Sequence, residues 1–138
     1  MIKKKSSSPK TNSKRTLRKI NDSERLLDNI ISGMQEKKAK EITSIDLRNV
    51  KNAVADFFVI CHADSSTHID AIVKSIEEFV YKKQGEEPLH VEGRGNSEWI
   101  LMDYFNVVAH VFKQEKREFF GIERLWADAE IKQIASNY

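Results

Sequence analysis

The chain has 138 residues, of which 32% are charged, a net charge of +2 and one cysteine, Cys61. That length suits one domain able to bury its own core without metal or disulfides, and a lone cysteine excludes an internal disulfide framework. No apolar run approaches the length of a membrane span, and the N-terminus lacks the apolar segment of a secretion signal.

The charge is unevenly placed. Residues 1–21 carry eight Lys/Arg and no acid, which leaves fifteen basic against twenty-one acidic groups in the remainder, a net of −6. With so few apolar side chains, residues 1–21 read as a disordered basic tail and residues 22–138 as a single domain. A basic, Ser-rich start has the composition of an organellar transit peptide. Here, however, Lys outnumbers Arg and no apolar face precedes Leu17. A mobile arm that touches RNA phosphate weakly, or a purely solubilising tail, fits better.

Order is expected to begin near Asn21. Asn21, Asp22 and Ser23 are cap-type residues, and Leu26, Leu27, Ile30, Ile31 and Met34 then recur at helical spacing. Glu41 to Leu47 alternates as a strand with one solvated face does, and Phe57 to Cys61 is a continuous apolar run that suits a central strand covered on both faces. Cys61 within it reads as a small buried hydrophobe. The segment from His62 to His68 caps a second helix with the stripe Ile69, Ile72, Val73, Ile76, Phe79 and Val80, and Gly85 follows its end. Beyond Pro88, residues 89–93 form a third strand, and strand-helix-strand in that order implies a right-handed parallel crossover. Gly93-Arg94-Gly95-Asn96 supplies a hairpin turn into a strand over 97–104. Tyr104-Phe105-Asn106 connects that strand to another over 107–113. Two helical segments, Gln114–Phe120 and Ile122 to about Ser136, close the chain around Gly121. The fold class is α/β, with a mixed sheet of about five strands flanked by helices.

Few residues offer chemistry. His62 and His68 bracket the mouth of the central strand, but their spacing is not that of a zinc site, and Asp64, Ser65 and Ser66 are sufficiently explained as helix caps. His90 and Glu92 share a strand face, with His110 on a neighbouring strand. Two histidines and a carboxylate on a half-buried sheet more often make ordinary hydrogen bonds than hold a metal. No activated nucleophile is visible, since Cys61 is too apolar in context and no serine has a base at a motif spacing. The expectation is no catalytic residue, no metal and no cofactor. Trp99, which opens a strand directly after a polar turn, is either the lid of a core or the anchor of an interface. Trp126, with Ile122 and Leu125 at helical spacing, reads as core or helix docking.

Val91-Glu92-Gly93, Ser97-Glu98-Trp99, Met102-Asp103-Tyr104 and the run over 107–112 stand in a spacing that resembles the ribosomal silencing factor family, also called Iojap-related. The likeness extends through Ala55 to His68 upstream and Glu115 to Ala129 downstream, and covers about Glu24 to Ala129. It implies a nucleotidyltransferase-like topology without the catalytic motif. Asp46 and Asp103 are single acids, Glu92 is followed by Gly93 and Arg94, and the 62–66 turn lacks a glycine to close on phosphate. It implies a cytoplasmic bacterial repressor of translation that binds the large ribosomal subunit and blocks joining of the small one when nutrients are short. A late role in subunit assembly is compatible with the same site. By match, contact with the fourteenth protein of the large subunit falls on Trp99, Asp103 and Tyr104, with Glu92, Gly93 and Glu98 beside them. Trp99 and Tyr104 would point to opposite faces of a flat strand unless Tyr104 sits at a bend. Four positions depart from the family pattern: Ala63 replaces a glycine, Thr67 a basic residue, and Phe105-Asn106 a Gly-Asp turn. Competing readings are a nucleotide-binding or nucleotidyltransferase-like enzyme, and an adaptor that forms a homodimer through the same aromatic strand.

Overall fold

The computed structural model describes residues 9–136 and 138, with side chains from Asp22 onward. In chain order the elements are α1 (Pro9–Glu36), β1 (Lys40–Asp46), β2 (Phe57–Ala63), α2 (Ser66–Gln84), β3 (His90–Glu92), β4 (Trp99–Asp103), β5 (Val107–Lys113), α3 (Gln114–Phe120), α4 (Ile122–Leu125) and β6 (Glu130–Gln133). The sheet has six strands in the order β3-β4-β5-β2-β1-β6. Among the described residues only β2 and β5 pair in parallel, from Phe57↔Val107 to Ala63↔Lys113, and the other ladders are antiparallel. The helix-linked strands β2 and β3 run in the same direction, as expected, but β5 and β4 lie between them.

The helices α1 and α2 cover one face of the sheet. The α1 stripe Leu26, Ile30 and Met34 meets Ile69, Ile72 and Ile76 of α2 over Val59, Cys61, Ile100, Met102 and Val111. Each large aliphatic side chain buried in this way contributes about 1.5–3 kcal/mol. The two helices touch at Gly33, where a Cβ would stand 2.8 Å from Ile76 Cα, and Ser75 Oγ donates to Gly33 O at 2.7 Å. The predicted caps of α2 are present: His68 N donates to Ser65 Oγ, and Gly85 ends the helix in a left-handed conformation.

Three expectations are corrected. First, α1 begins at Pro9, not near Asn21. Proline is favoured at a first helical position and the Lys/Arg/Leu stretch after it has good helix propensity. Ser23 is therefore inside the helix, and its hydroxyl donates to Asp56 at 2.6 Å instead of capping. Residues 1–8 of the expected tail lie outside the described residues. Second, β1 has no solvated face along its centre, since Ile42, Thr43, Ser44 and Ile45 are all buried. It lies inside the sheet, with Ile42 in the helix-side core and Ile45 in the core on the other face. Third, the last helix stops at Leu125 and residues 130–133 form β6. Pairing from Thr43↔Gln133 to Asp46↔Glu130 satisfies the outer edge of β1, which a continued helix would leave open.

The second face is covered less completely. Its core is Ile45, Leu47, Phe58, Ile60, Val108, Phe112 and Ile122, with Trp99, Leu101 and Trp126 packed against it but partly open. Trp126 packs against this core, within the expectation of core or helix docking, and meets Phe58 edge-on at 5.9 Å, from the end of a four-residue helix. The β3–β4 end of this face is left to solvent.

Candidate protein interface

The register sets this open region. On β3, His90 lies opposite Asp103 and Glu92 opposite Leu101; on β5, Phe112 lies opposite Trp99 and His110 opposite Leu101. Partners directly opposite share a face, so His90, Glu92, Trp99, Leu101, Asp103, His110 and Phe112 belong to one surface. The exposed carboxylate Glu92 accepts from His90 Nε2 at 2.9 Å, and Asp103 Oδ2 stands 3.8 Å from His90 Nδ1. Asp103 Oδ1 also accepts from Phe105 N at 2.7 Å, which supports the turn where Phe105 takes φ +77° in place of the family's glycine. Glu98 is half-buried. Its carbonyl accepts from Lys113 N, and its carboxylate lies 3.9 Å from Lys116 Nζ.

Trp99 opens β4 at one end of this surface, opposite Phe112. Its indole stacks on Phe112 at 5.0 Å and meets Phe120 of α3 at 4.5 Å, while Nε1 donates to His110 Nδ1 at 3.1 Å. An indole N–H is only a donor, so Nδ1 of His110 is unprotonated and the ring proton is on Nε2. Burial pushes His110 down to about 4, which keeps it neutral near pH 7. Trp99 is thus both part of the second core and half open to solvent.

Gly93 acts beneath this surface. At φ +93° it lies against β4 so closely that a Cβ would be 2.1 Å from Trp99 O. The turn it opens is tied to α2 by Ser97 Oγ, which donates to Asp70 at 2.8 Å, and by the Arg94–Glu77 ion pair.

Tyr104 is the correction among the expected contact residues. It is 3% exposed and belongs to the helix-side core, opposite the face of Trp99. Alternation along an extended strand puts residues five apart on opposite sides, and the turn over Phe105–Asn106 does not bring Tyr104 round to the Trp99 face. Its hydroxyl has no hydrogen-bond partner among the described residues, and burial, with help from Glu77 and Glu86, raises the phenol above its ordinary value.

Two features escaped the sequence reading. Phe119 is 75% and Phe120 41% exposed, and Phe120 continues the ring contacts from Trp99. Adjacent residues on a helix point about 100° apart, so a Phe-Phe pair on so short a helix was a legible sign that one ring faces outward. The second is Arg117, a buried cation that fastens α3. It donates to Glu41 O, His62 Nδ1, Thr43 Oγ1 and the Glu123 carboxylate. A cleft of about 500 Å³ opens beside it, but these partners already occupy the guanidinium. Nothing in that sequence pattern separated a buried arginine from its charged neighbours.

The remaining histidines are engaged structurally. His62 is buried against Arg117, and burial followed by that cation lowers its pKa. His68 bonds Lys37 O at 2.6 Å. Burial pushes the Cys61 thiol up to about 12, consistent with an inert core residue. Among the described residues no three His, Cys, Asp or Glu side chains converge as metal ligands, and no helix is long and apolar enough to cross a membrane.

This geometry defines a small α/β protein with one sheet face closed by helices and the other presenting a pinned tryptophan among carboxylates. Residues 20–137 match the family described as ribosomal silencing factor during starvation. The ribosomal silencing factor of Halalkalibacterium halodurans is 34% identical over 104 residues, covering 75% of this chain and 87% of the relative. A mouse protein named for mitochondrial assembly of the ribosomal large subunit is 27% identical over 116 residues, covering 80% of this chain and 50% of that one. A crystal structure from Chromobacterium violaceum shares the fold with a TM-score of 0.70 at 25% identity, covering 75% of this chain and 85% of the other. The chain belongs to the ribosomal silencing factor (RsfS/Iojap) family.

Proposed function

We propose that this protein is a non-catalytic repressor of translation. It binds the large ribosomal subunit through the Trp99 face and obstructs joining of the small subunit when nutrients are limiting. The observation that carries this reading is the partly exposed Trp99 on the less covered face of the sheet, with the carboxylates of Glu92 and Asp103 further along that face and Glu98 next to it in the chain. A stiff aromatic anchor with a negative rim complements a basic ribosomal protein, and the fourteenth protein of the large subunit is the proposed contact. The eight cations of residues 1–21 would add a weak contact to ribosomal RNA. In the free protein the same apolar surface suits a homodimer, and the site of action is the bacterial cytoplasm.

The name of the mouse relative favours a second reading, a late step in large-subunit assembly at the same surface. An enzymatic reading has less support. Among the described residues no three His, Cys, Asp or Glu side chains converge to hold a metal ion, and the buried Arg117 beside the cleft is engaged by Glu41, His62, Thr43 and Glu123.

A sedimentation titration with chelator present tests the proposal. Protein added to separated subunits should prevent joining in proportion to large subunits, and should do little to ribosomes already joined. Complete loss of joining at about one protein per hundred subunits, or loss only with ATP, would point to an enzyme.

A further inference from the structure

His110 is costly where it stands. The strand β5 reads Val-Val-Ala-His-Val-Phe before Lys113, and an apolar residue would fill the position without burying a polar group. The imidazole is 3% exposed, and its Nε2 has no hydrogen-bond partner among the described residues. A buried N–H left unpaired is destabilising in a low-dielectric interior and calls for an explanation. The explanation is at the other nitrogen, where Nδ1 accepts the indole proton of Trp99. The ring is itself held, edge-on by Phe58 at 4.8 Å and parallel to Phe112 at 6.2 Å. A rigid, neutral acceptor is thus aimed at the one polar atom of a half-open tryptophan.

We propose that His110 is a positioning residue for partner recognition, turning the N–H edge of Trp99 into the sheet so that the partner meets only ring carbon. This rests on the reading of Trp99 as an interface anchor. It also specifies the partner's chemistry at that point. With its only donor engaged, Trp99 takes an aliphatic or aromatic side chain, not a backbone carbonyl or a carboxylate. Fixing the ring beforehand removes an ordering penalty at binding.

Substitutions at one position separate positioning from packing. His110→Phe keeps a ring of similar size and loses the acceptor, whereas His110→Asn keeps an acceptor near Nδ1 and loses volume. Binding to isolated large ribosomal subunits is measured alongside solvent exchange of the Trp99 indole proton by NMR. The proposal expects His110→Phe to fold with undiminished melting temperature, to exchange the indole proton faster and to bind about tenfold more weakly, the loss of one hydrogen bond's worth of pre-set geometry. His110→Asn should keep slow exchange and most of the affinity despite lower stability. In a Trp99→Phe background, His110→Phe should cost no further affinity. Wild-type binding by His110→Phe, when Trp99→Ala has lost binding, overturns the positioning role alone. Wild-type binding by Trp99→Ala overturns the reading of the face and this proposal with it. Better binding by His110→Phe than by His110→Asn means that the residue only packs.

Discussion

At the scale of single residues, Trp99 and Tyr104 differ in what they hold. Tyr104 is enclosed in the helix-side core, so Tyr104→Ala should destabilise by about 3–5 kcal/mol in urea unfolding. Tyr104→Phe, which removes an unpartnered hydroxyl, should be neutral or stabilising, and neither change should weaken subunit binding in folded protein. Trp99→Ala should reduce binding about thirtyfold, roughly 2 kcal/mol, with a smaller loss of stability because its ring is partly exposed. Equal loss of affinity from Tyr104→Phe would contradict this division. His110 adds a pH dependence. Its folded value, about 4, is depressed below the ordinary 6.5 by burial alone. The neutral form is the one that folds, so its contribution is complete above pH 6.5 and is lost as pH falls towards 4. The full effect is about 3 kcal/mol. Unfolding free energies of wild type and His110→Phe, measured between pH 7 and 4, should diverge with wild type losing more; parallel curves would show that His110 does not titrate this way.

At the scale of elements, α3 is short and exposed along one side, and Arg117 fastens it. Removing one partner from a buried charged network is more damaging than replacing the whole network, because the other polar groups stay buried without their bonds. Arg117→Met would leave the Glu41 carbonyl, His62 Nδ1, Thr43 Oγ1 and Glu123 short of a donor. A loss of about 3 kcal/mol in chemical unfolding is expected, with Glu123→Gln costing less because Glu123 is partly solvated. A change within about 0.5 kcal/mol for Arg117→Met would mean that α3 is held by its aromatic contacts instead.

At the scale of the whole molecule, charge and packing are segregated. The acidic domain carries the sheet faces, and the eight basic residues precede the first described buried side chain, Ser23. Deletion of residues 1–21 should therefore change the melting temperature little. It should weaken binding to large subunits more at low salt than at high salt and flatten the salt dependence, as the loss of phosphate contacts requires. A deletion that unfolds the domain would show that the N-terminal part of α1 packs, and an unchanged salt slope would remove the tail from RNA contact.

Local chemistry determined much of this protein. The apolar stripe of α1, the Ser65 cap and Gly85 stop of α2, the buried run of β2 and the Gly93–Asn96 hairpin are all set by residues near one another in the chain, so their patterns were legible. So was the family, because ordered blocks recur from residues 24 to 129. What depended on distant partners was not legible. Residues 130–133 have a pattern compatible with a helix, and the unpaired edge of β1 makes them a strand. The alternation over Glu41–Leu47 suited a strand with one solvated face, yet β6 pairs alongside, Thr43 and Ser44 are buried, and Arg117 donates to Thr43. Alternation along β4 placed Trp99 and Tyr104 on opposite faces, but only the packing of α1 and α2 on one of those faces decided that Tyr104 is core and Trp99 open. Periodicity assigns side chains to faces; which face meets water is decided by what the rest of the chain lays over it.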